Sequence, residues 1–160
     1  MQHIKVDGNN NVYNAGFYTG TVYFSATDSL TLQDTNDIAI YIVKYSPLGK
    51  VIWTKRIESL HNAIFNEGFE VNKHGDIWLE GTNLGSYAKF DTFSHKGNFI
   101  ARLDSNGKFL WVKDCTSNGV YVDTLNNIYL LDNNFYKNDP SGNLVWSKKI
   151  SFFSGSMFNY

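Results

Sequence analysis

The chain has 160 residues, with 14 basic and 15 acidic side chains and a formal net charge of −1. This length suffices for one domain with a hydrophobic core. The near-zero charge argues against general nucleic-acid binding, which needs a basic excess. The single cysteine, Cys115, excludes an intrachain disulfide and a thiolate metal cluster.

The predicted elements are strands nearly throughout, because short apolar and aromatic runs alternate with clusters of Asn, Asp, Gly and Ser. Residues 25–37 are rich in Thr, Ser and Asp and predict a surface loop. The nearest helical candidate, 60–65, is too short to stand alone, and the longest strongly apolar run, 38–43, is too short to span a bilayer. Strands are expected at 11–17, 21–24, 38–45, 50–57, 68–72, 76–81, 86–90, 98–103, 108–114, 119–123, 127–131, 134–137 and 143–150.

One phrase recurs at residues 44–55, 102–113 and 137–148. Each copy has a basic residue, a turn closed by glycine, two apolar residues, a tryptophan and then a lysine. A residue that recurs in every unit is expected to build the unit. We therefore interpret the repeated tryptophans as packing between units, and not as a ligand-stacking set; the turn and ring positions are Gly49 and Trp53, Gly107 and Trp111, and Gly142 and Trp146.

A second phrase recurs at 6–13, 71–78 and 122–129. In each copy a strand ends in Asp or Asn, a tight polar turn follows, and the next strand begins with a β-branched and an aromatic residue. Trp78 stands where the other copies have tyrosine, so it is also predicted to pack. The two phrases give two hairpins and thus four strands per unit. We expect one domain, 1–160, with units at 1–57, 58–114 and 115–150, and with 151–160 beginning a further or closing unit.

The composite phrase resembles the SBBP-type repeats of bacterial β-propellers, and the matching stretches are 11–20, 42–55 and 102–113. The resemblance implies an all-β, β-propeller-like fold of about three four-stranded antiparallel blades, in a secreted or cell-surface bacterial protein. It brings no catalytic set. Propellers usually close with four to eight blades. The alternatives are therefore a fragment of a longer array, a homodimer that completes a six-bladed ring, or an open curved stack.

Metal binding is not expected. The loop 7–11 and the turns 104–107 and 139–142 are rich in oxygen atoms but lack the carboxylate spacing of a calcium loop. We interpret them as hairpin turns, in which Asp bonds to its own backbone and Gly adopts a positive φ. The four histidines show no zinc spacing; they are His3, His61, His74 and His95.

Catalysis is not expected either, and no cofactor is implied. A glycosidase needs two carboxylates at a set separation, but acids on exposed strands are usually solvated. No Gly-x-Ser-x-Gly, phosphate loop or Cys–His set is present. The candidate acids are Glu67, Glu70, Asp76 and Glu80.

The predicted function is a non-catalytic binding or scaffold module with an unknown protein or glycan ligand. Propeller loops vary in sequence and present contact surfaces. A lectin-like glycan binder and, less favoured, a carbohydrate-active enzyme are the alternatives. Four unrepeated aromatic residues could contact a glycan or a protein if exposed: Tyr18, Tyr87, Phe152 and Phe153. The simpler interpretation is that Phe152, Phe153, Met157 and Phe158 pack in the closing blade. The compartment follows from the resemblance alone.

Overall fold

The computed structural model describes residues 2–34, 37–59, 64–117 and 119–150. Within these ranges the chain forms sixteen strands, every strand pairing is antiparallel, and no helix occurs. The prediction of an all-β fold is confirmed. The described part of the chain contains no helix long and apolar enough to cross a membrane.

The strands are short and are joined mostly by tight turns. In chain order they are β1 (His3–Val6), β2 (Val12–Tyr18), β3 (Thr21–Tyr23), β4 (Ser29–Thr31), β5 (Ala39–Tyr45), β6 (Val51–Ser59), β7 (Ile64–Val71), β8 (Ile77–Asn83), β9 (Ala88–Phe90), β10 (Phe93–His95), β11 (Phe99–Leu103), β12 (Phe109–Asp114), β13 (Val120–Val122), β14 (Ile128–Leu131), β15 (Asn134–Asn138) and β16 (Leu144–Lys149).

Three sheets follow one another along the chain. The first sheet has the order β1-β2-β5-β6 and is extended at its outer edge by β9 and β10. The second sheet has the order β7-β8-β11-β12, and the third has the order β13-β14-β15-β16. Strands β3 and β4 form a separate ribbon. Each sheet is thus built around four strands in meander order, as short connections between successive strands favour.

The turns of both phrases use left-handed backbone. Gly49, Gly107 and Gly142 have φ of 75°, 79° and 77°, and each donates its N–H to the carbonyl three residues earlier. The second phrase places Asn10, Gly75 and Asn126 at φ of 61°, 86° and 65°. Glycine and asparagine tolerate this conformation best. The phrases therefore fix the hairpins locally.

The cores lie between neighbouring sheets. Strand β8 is buried on both faces because alternate side chains enter different cores: Ile77 and Leu79 join the core shared with the first sheet, and Trp78 joins the core shared with the third. Strand β7 contacts β1 and β2 on one side and β13 on the other. The second sheet is therefore the central layer of the described chain.

The prediction of a loop at 25–37 was wrong for the part that forms β4. Ser29–Thr31 pairs with Thr21–Tyr23. Leu30 and Leu32 pack against Tyr41 and its neighbours, while Ser29 and Thr31 stay exposed. The period-two burial of two leucines in a Thr-rich segment is the signal for this strand.

Strand β10 was not predicted, and β1 was given no range although the second phrase places the end of a strand at Asp7. Strand β10 pairs with β9, and β9 pairs with β6 of the first sheet and not with its neighbours in the second. The pairing of β9 with β6 is non-local, so no local pattern specifies it. Strand β10 pairs with its sequence neighbour β9 and is too short, at three residues, to show a period. Of the segment 60–65, residues 60–63 lie outside the described ranges and 64–65 belong to β7.

Candidate functional site

The first and second sheets are joined by a contact between a tryptophan and a glycine turn. A Cβ atom added to Gly107 would lie 3.2 Å from the ring of Trp53, so the ring lies directly against the turn. The indole Nε1 of Trp53 donates to the Ser105 carbonyl at 3.2 Å. Lys44 Nζ donates to the same carbonyl at 3.1 Å. The aromatic ring and the cation of one copy of the phrase thus both contact the turn of the next copy.

The second and third sheets repeat this contact. A Cβ atom added to Gly142 would lie 3.2 Å from the ring of Trp111. Arg102 Nη1 donates to the Pro140 carbonyl at 2.9 Å. Pro140 occupies the position in its phrase that Ser105 occupies in the second copy. The prediction that Trp53 and Trp111 pack between units agrees with these contacts. Equivalent positions of the phrase form the contact at both interfaces.

The basic residue of each phrase also lies over an aromatic ring of the second phrase. Lys44 Nζ is 5.0 Å from the centre of the Tyr13 ring, and the Arg102 guanidinium is 5.0 Å from that of Trp78. Lys137 Nζ is 5.6 Å from the centre of the Tyr129 ring. These cation–π contacts hold the cations in position. The Lys137 side chain therefore lies over the aromatic ring of its own sheet in the same way as those of Lys44 and Arg102.

The third sheet has a face that no other described element covers. Trp146 is 36% exposed, and Tyr121 and Phe135 are 61% and 37% exposed. Strand β16 is exposed along its whole length. Within the described ranges, no carbonyl accepts a hydrogen bond from Lys137. We call this surface the open face; it consists of Tyr121, Tyr129, Leu131, Phe135, Lys137 and Trp146.

The open face is continuous. The ring of Tyr129 lies 6.1 Å from that of Tyr121 and 5.9 Å from that of Phe135, and Phe135 lies 5.5 Å from Trp146. The register places Tyr121, Tyr129, Lys137 and Trp146 opposite one another across the four strands. A row of exposed rings on a sheet is typical of an interaction surface. Trp146 was recognisable in the sequence as a repeated residue, whereas Tyr121 and Phe135 were not singled out. The signal that could have found them is the alternation of side chains along a strand, which places them on the same face as Trp146.

The turn of the first phrase, residues 46–49, is also without a neighbour. No described atom outside the adjoining residues lies within 4 Å of a Cβ added to Gly49. Leu48 in this turn is 88% exposed. We call residues 46–49 the open turn. The described chain therefore has an unmatched turn on its first sheet and an unmatched tryptophan on its third.

A buried polar cluster lies between the second and third sheets. Ser117 Oγ donates to the Glu80 carboxylate, and Cys115 Sγ lies 3.6 Å from the same oxygen. All three side chains are buried. Cys115 and Ser117 also line a cavity of about 250 Å³ together with Leu130, Tyr136 and neighbouring residues. The sequence analysis missed Ser117, because its burial depends on a contact with the distant Glu80.

The thiol in this cluster is a poor nucleophile. Burial raises the pKa of Cys115 to about 11, so the thiol stays protonated near neutral pH. We expect it to react with Ellman's reagent at pH 8 roughly a hundredfold more slowly in the native protein than in urea. Stopped-flow absorbance measures both rates. Native reaction at the rate of the unfolded chain would contradict this protected position.

The candidate carboxylates have separate structural partners. Glu70 pairs with Lys5 at 2.8 Å, and Asp76 pairs with Arg102 at 2.9 Å. Glu80 belongs to the buried cluster, and the side chain of Glu67 lies outside the described part. The contacts of Glu70, Asp76 and Glu80 thus lead to three different partners. The absence of a catalytic pair stays a prediction for the whole chain.

The Asp turns satisfy their own polar groups. Asp7 accepts from the backbone N–H of Asn9 and of Asn11, from the Asn11 amide and from the Tyr13 hydroxyl, at 2.8–3.0 Å. Burial raises the pKa of Asp7, but these hydrogen bonds outweigh it and hold the pKa below its usual value. Asp104 and Asp139 also bond to their own turns. Their lone pairs therefore stabilise the hairpins.

The histidines lie apart. His3 lies near Phe69, with a pKa lowered chiefly by burial. His95 contacts the Asn98 carbonyl and His74 lies in an exposed turn. His61 lies outside the described ranges. Among the described residues, no group of three His, Cys, Asp or Glu side chains could hold a metal ion.

The unrepeated aromatic residues divide into three cases. Tyr18 is buried beneath the ribbon of β3 and β4. Tyr87 is 52% exposed and remains available for contact. Phe152 and Phe153 lie outside the described residues.

Comparison with known proteins supports the repeat architecture only weakly. No family model matches the chain. The chain is similar to an uncharacterized WD repeat-containing protein, L264, of Acanthamoeba polyphaga mimivirus, with 29% identity over 84 residues. The match covers 48% of this chain and 6% of that protein. The similarity is consistent with a propeller-type binding or scaffold module.

Proposed function

We propose that this chain is a non-catalytic binding or scaffold module of the β-propeller type, with its three sheets acting as blades. Support comes from the sheet order and from the tryptophan–glycine contact that recurs at both interfaces. The SBBP-type phrase supports the same assignment. The similar protein is viral, so the bacterial surface context rests on the resemblance alone.

The observation that carries the binding role is the open face. Its aromatic rings are exposed although the equivalent tryptophans of the other two phrases are covered by a neighbouring turn. Exposing a large apolar surface to water is unfavourable, and a partner that covers the surface makes the free energy more favourable. The module is therefore built to bind through this face.

A hydrophobic dye tests this role. We expect replacement of Tyr121 and Trp146 by serine to lower the binding of anilinonaphthalene sulfonate by roughly half or more. Stability should change by less than about 1 kcal/mol, because both side chains are exposed. Fluorescence titration and urea unfolding measure the two effects. Tyr23→Ser is the matched control, since Tyr23 is 74% exposed on another ribbon. Equal dye binding by the double variant and the control, at a concentration at which the chain is monomeric, would refute the proposal.

Glycan binding is the second candidate for the same face. Rings spaced 5.5–6.1 Å apart in a row can stack against sugar rings. A glycan array probed with the wild type and with the double variant of the dye experiment distinguishes the two. Signals lost in the variant assign a sugar ligand to the face. A carbohydrate-active enzyme is less favoured, because the described acids have structural partners.

A further inference from the structure

The two tryptophan–glycine contacts between sheets have the same two parts, which we call the plug and the socket. The plug is the tryptophan and the basic residue of one phrase, and the socket is the glycine turn of the next copy. Trp53 with Lys44 enters the turn at Gly107, and Trp111 with Arg102 enters the turn at Gly142. Among the described residues, three plugs and three sockets are present, and two pairs are formed.

The remaining plug and socket lie on different sheets. The plug of Trp146 and Lys137 lies on the open face of the third sheet, where Trp146 is exposed and Lys137 is held over Tyr129. The socket is the open turn at Gly49 on the first sheet, with no described neighbour within 4 Å of its Cβ position. Because this turn has the same φ as the two occupied sockets, it offers the same surface.

From this complementarity we propose that the open face binds the open turn of a second copy of this chain. Trp146 of one copy packs on Gly49 of the second copy. Lys137 of the first copy donates a hydrogen bond to the Pro47 carbonyl of the second copy. This inference rests on the proposed function, since it names the partner of the same face. The contact continues the interface that the chain already forms twice internally.

The inserted hairpins fit this arrangement. The hairpin of β9 and β10, inserted between the second and third strands of the second sheet, adds to the outer strand β6 of the preceding sheet. The ribbon of β3 and β4 is inserted at the equivalent place in the first sheet. In the proposed dimer, the ribbon of one copy would lie near the fully exposed β16 of the other copy and supply a neighbour for that edge.

The geometry is head-to-tail, so two copies use two identical contacts when the ring closes. A contact between a plug and a socket has a property that a contact between two open faces lacks. A copy with a damaged socket still has an intact plug, and a copy with a damaged plug still has an intact socket. Mixing the two restores one intact contact.

The experiment uses the full chain and light scattering coupled to gel filtration. We expect the wild type to have twice the 18.2 kDa chain mass. Gly49→Asn damages the socket, because asparagine tolerates positive φ but brings a side chain to the place of the Trp146 ring. Trp146→Ala removes the plug. Each should raise the dimer dissociation constant by roughly thirtyfold or more.

Gly97→Asn is the matched control. Gly97 has a φ of 79°, and it too has nothing within 4 Å of its Cβ position. It belongs to neither the plug nor the socket, so the variant should remain dimeric. Circular dichroism of all three variants confirms that each is folded. Equal amounts of Gly49→Asn and Trp146→Ala, when mixed, should form a mixed dimer.

Several outcomes would overturn the inference. The wild type could be monomeric at 100 times the concentration used in the dye titration, or the dimer could persist in both variants. A mixture without a mixed dimer would exclude the head-to-tail contact. The dye separates this failure from that of the proposed function. A monomeric wild type that binds dye through Tyr121 and Trp146 keeps the binding role and loses the second copy, whereas a lack of dye binding at that face in the monomeric Gly49→Asn variant removes both.

Discussion

Replacement of Trp78 by alanine is expected to destabilise the fold by about 3–5 kcal/mol. Trp78 is the largest fully buried side chain, and it fills the core between the second and third sheets together with Ile100 and Ile128. Its removal leaves a cavity that the surrounding strands cannot close, because they are fixed by their ladders. The loss of the cation–π contact with Arg102 adds to the cost.

Urea unfolding followed by circular dichroism measures this loss. Trp146→Ala is the matched control, since it removes the same side chain from a position that is 36% exposed. Both are compared in the Gly49→Asn background, which keeps association out of the measurement. The control should lose less than about 1 kcal/mol. Equal losses at the two positions would show that Trp78 does not fill a core.

Replacement of Asp7 by alanine is expected to cost about 2–4 kcal/mol. The change leaves two backbone N–H groups, an amide and the Tyr13 hydroxyl without their acceptor. It also removes the carboxylate that lies 4.0 Å from the buried Lys44 ammonium. Because Asp7 is buried, water replaces these partners poorly.

Asp123→Ala is the control for this position. Asp123 makes the equivalent four contacts, to Leu125, Asn127 and Tyr129, but it is more exposed. Its loss should therefore be smaller than that of Asp7. The same order of losses should appear in thermal unfolding. A larger loss at Asp123 would contradict the role assigned to burial.

The contribution of Asp7 should also depend on pH. Burial raises its pKa in the folded protein, but the hydrogen bonds from Asn11, Asn9 and Tyr13 outweigh burial and hold the pKa below its usual value. The stabilisation is therefore present above the unfolded pKa and is lost as the pH falls through the folded pKa. We expect the difference in unfolding free energy between the wild type and Asp7→Ala to shrink below about pH 4. A difference that is constant from pH 7 to pH 2 would exclude this linkage.

The sequence predicted most strands but missed the three-residue strands β4 and β10, although each pairs with its neighbour in the sequence. Thirteen strand segments were expected from alternating patterns, and each overlaps a strand in the structure. The edge strand β10 is three residues long and is formed by pairing with β9. Three residues are too few to show a period. The same limit hid Ser29–Thr31 within a polar segment.

The candidate site was predicted only in part. Trp146 was recognised as a repeated residue, and packing was expected for it by analogy with Trp53 and Trp111. That expectation failed for Trp146 within the described residues, because the third sheet has no following turn on which the ring can pack. The phrase is the same in all three copies, but the surroundings are not.

The sequence by itself determined the hairpins, since a glycine or asparagine at positive φ and period-two burial act within a few residues. Only the tertiary structure decided which equivalent residues are covered, which sheet receives β9, and where Ser117 meets Glu80. Burial and strand pairing depend on groups far apart along the chain, so equivalent positions of a repeated phrase have different exposures. The open face is the result of that difference.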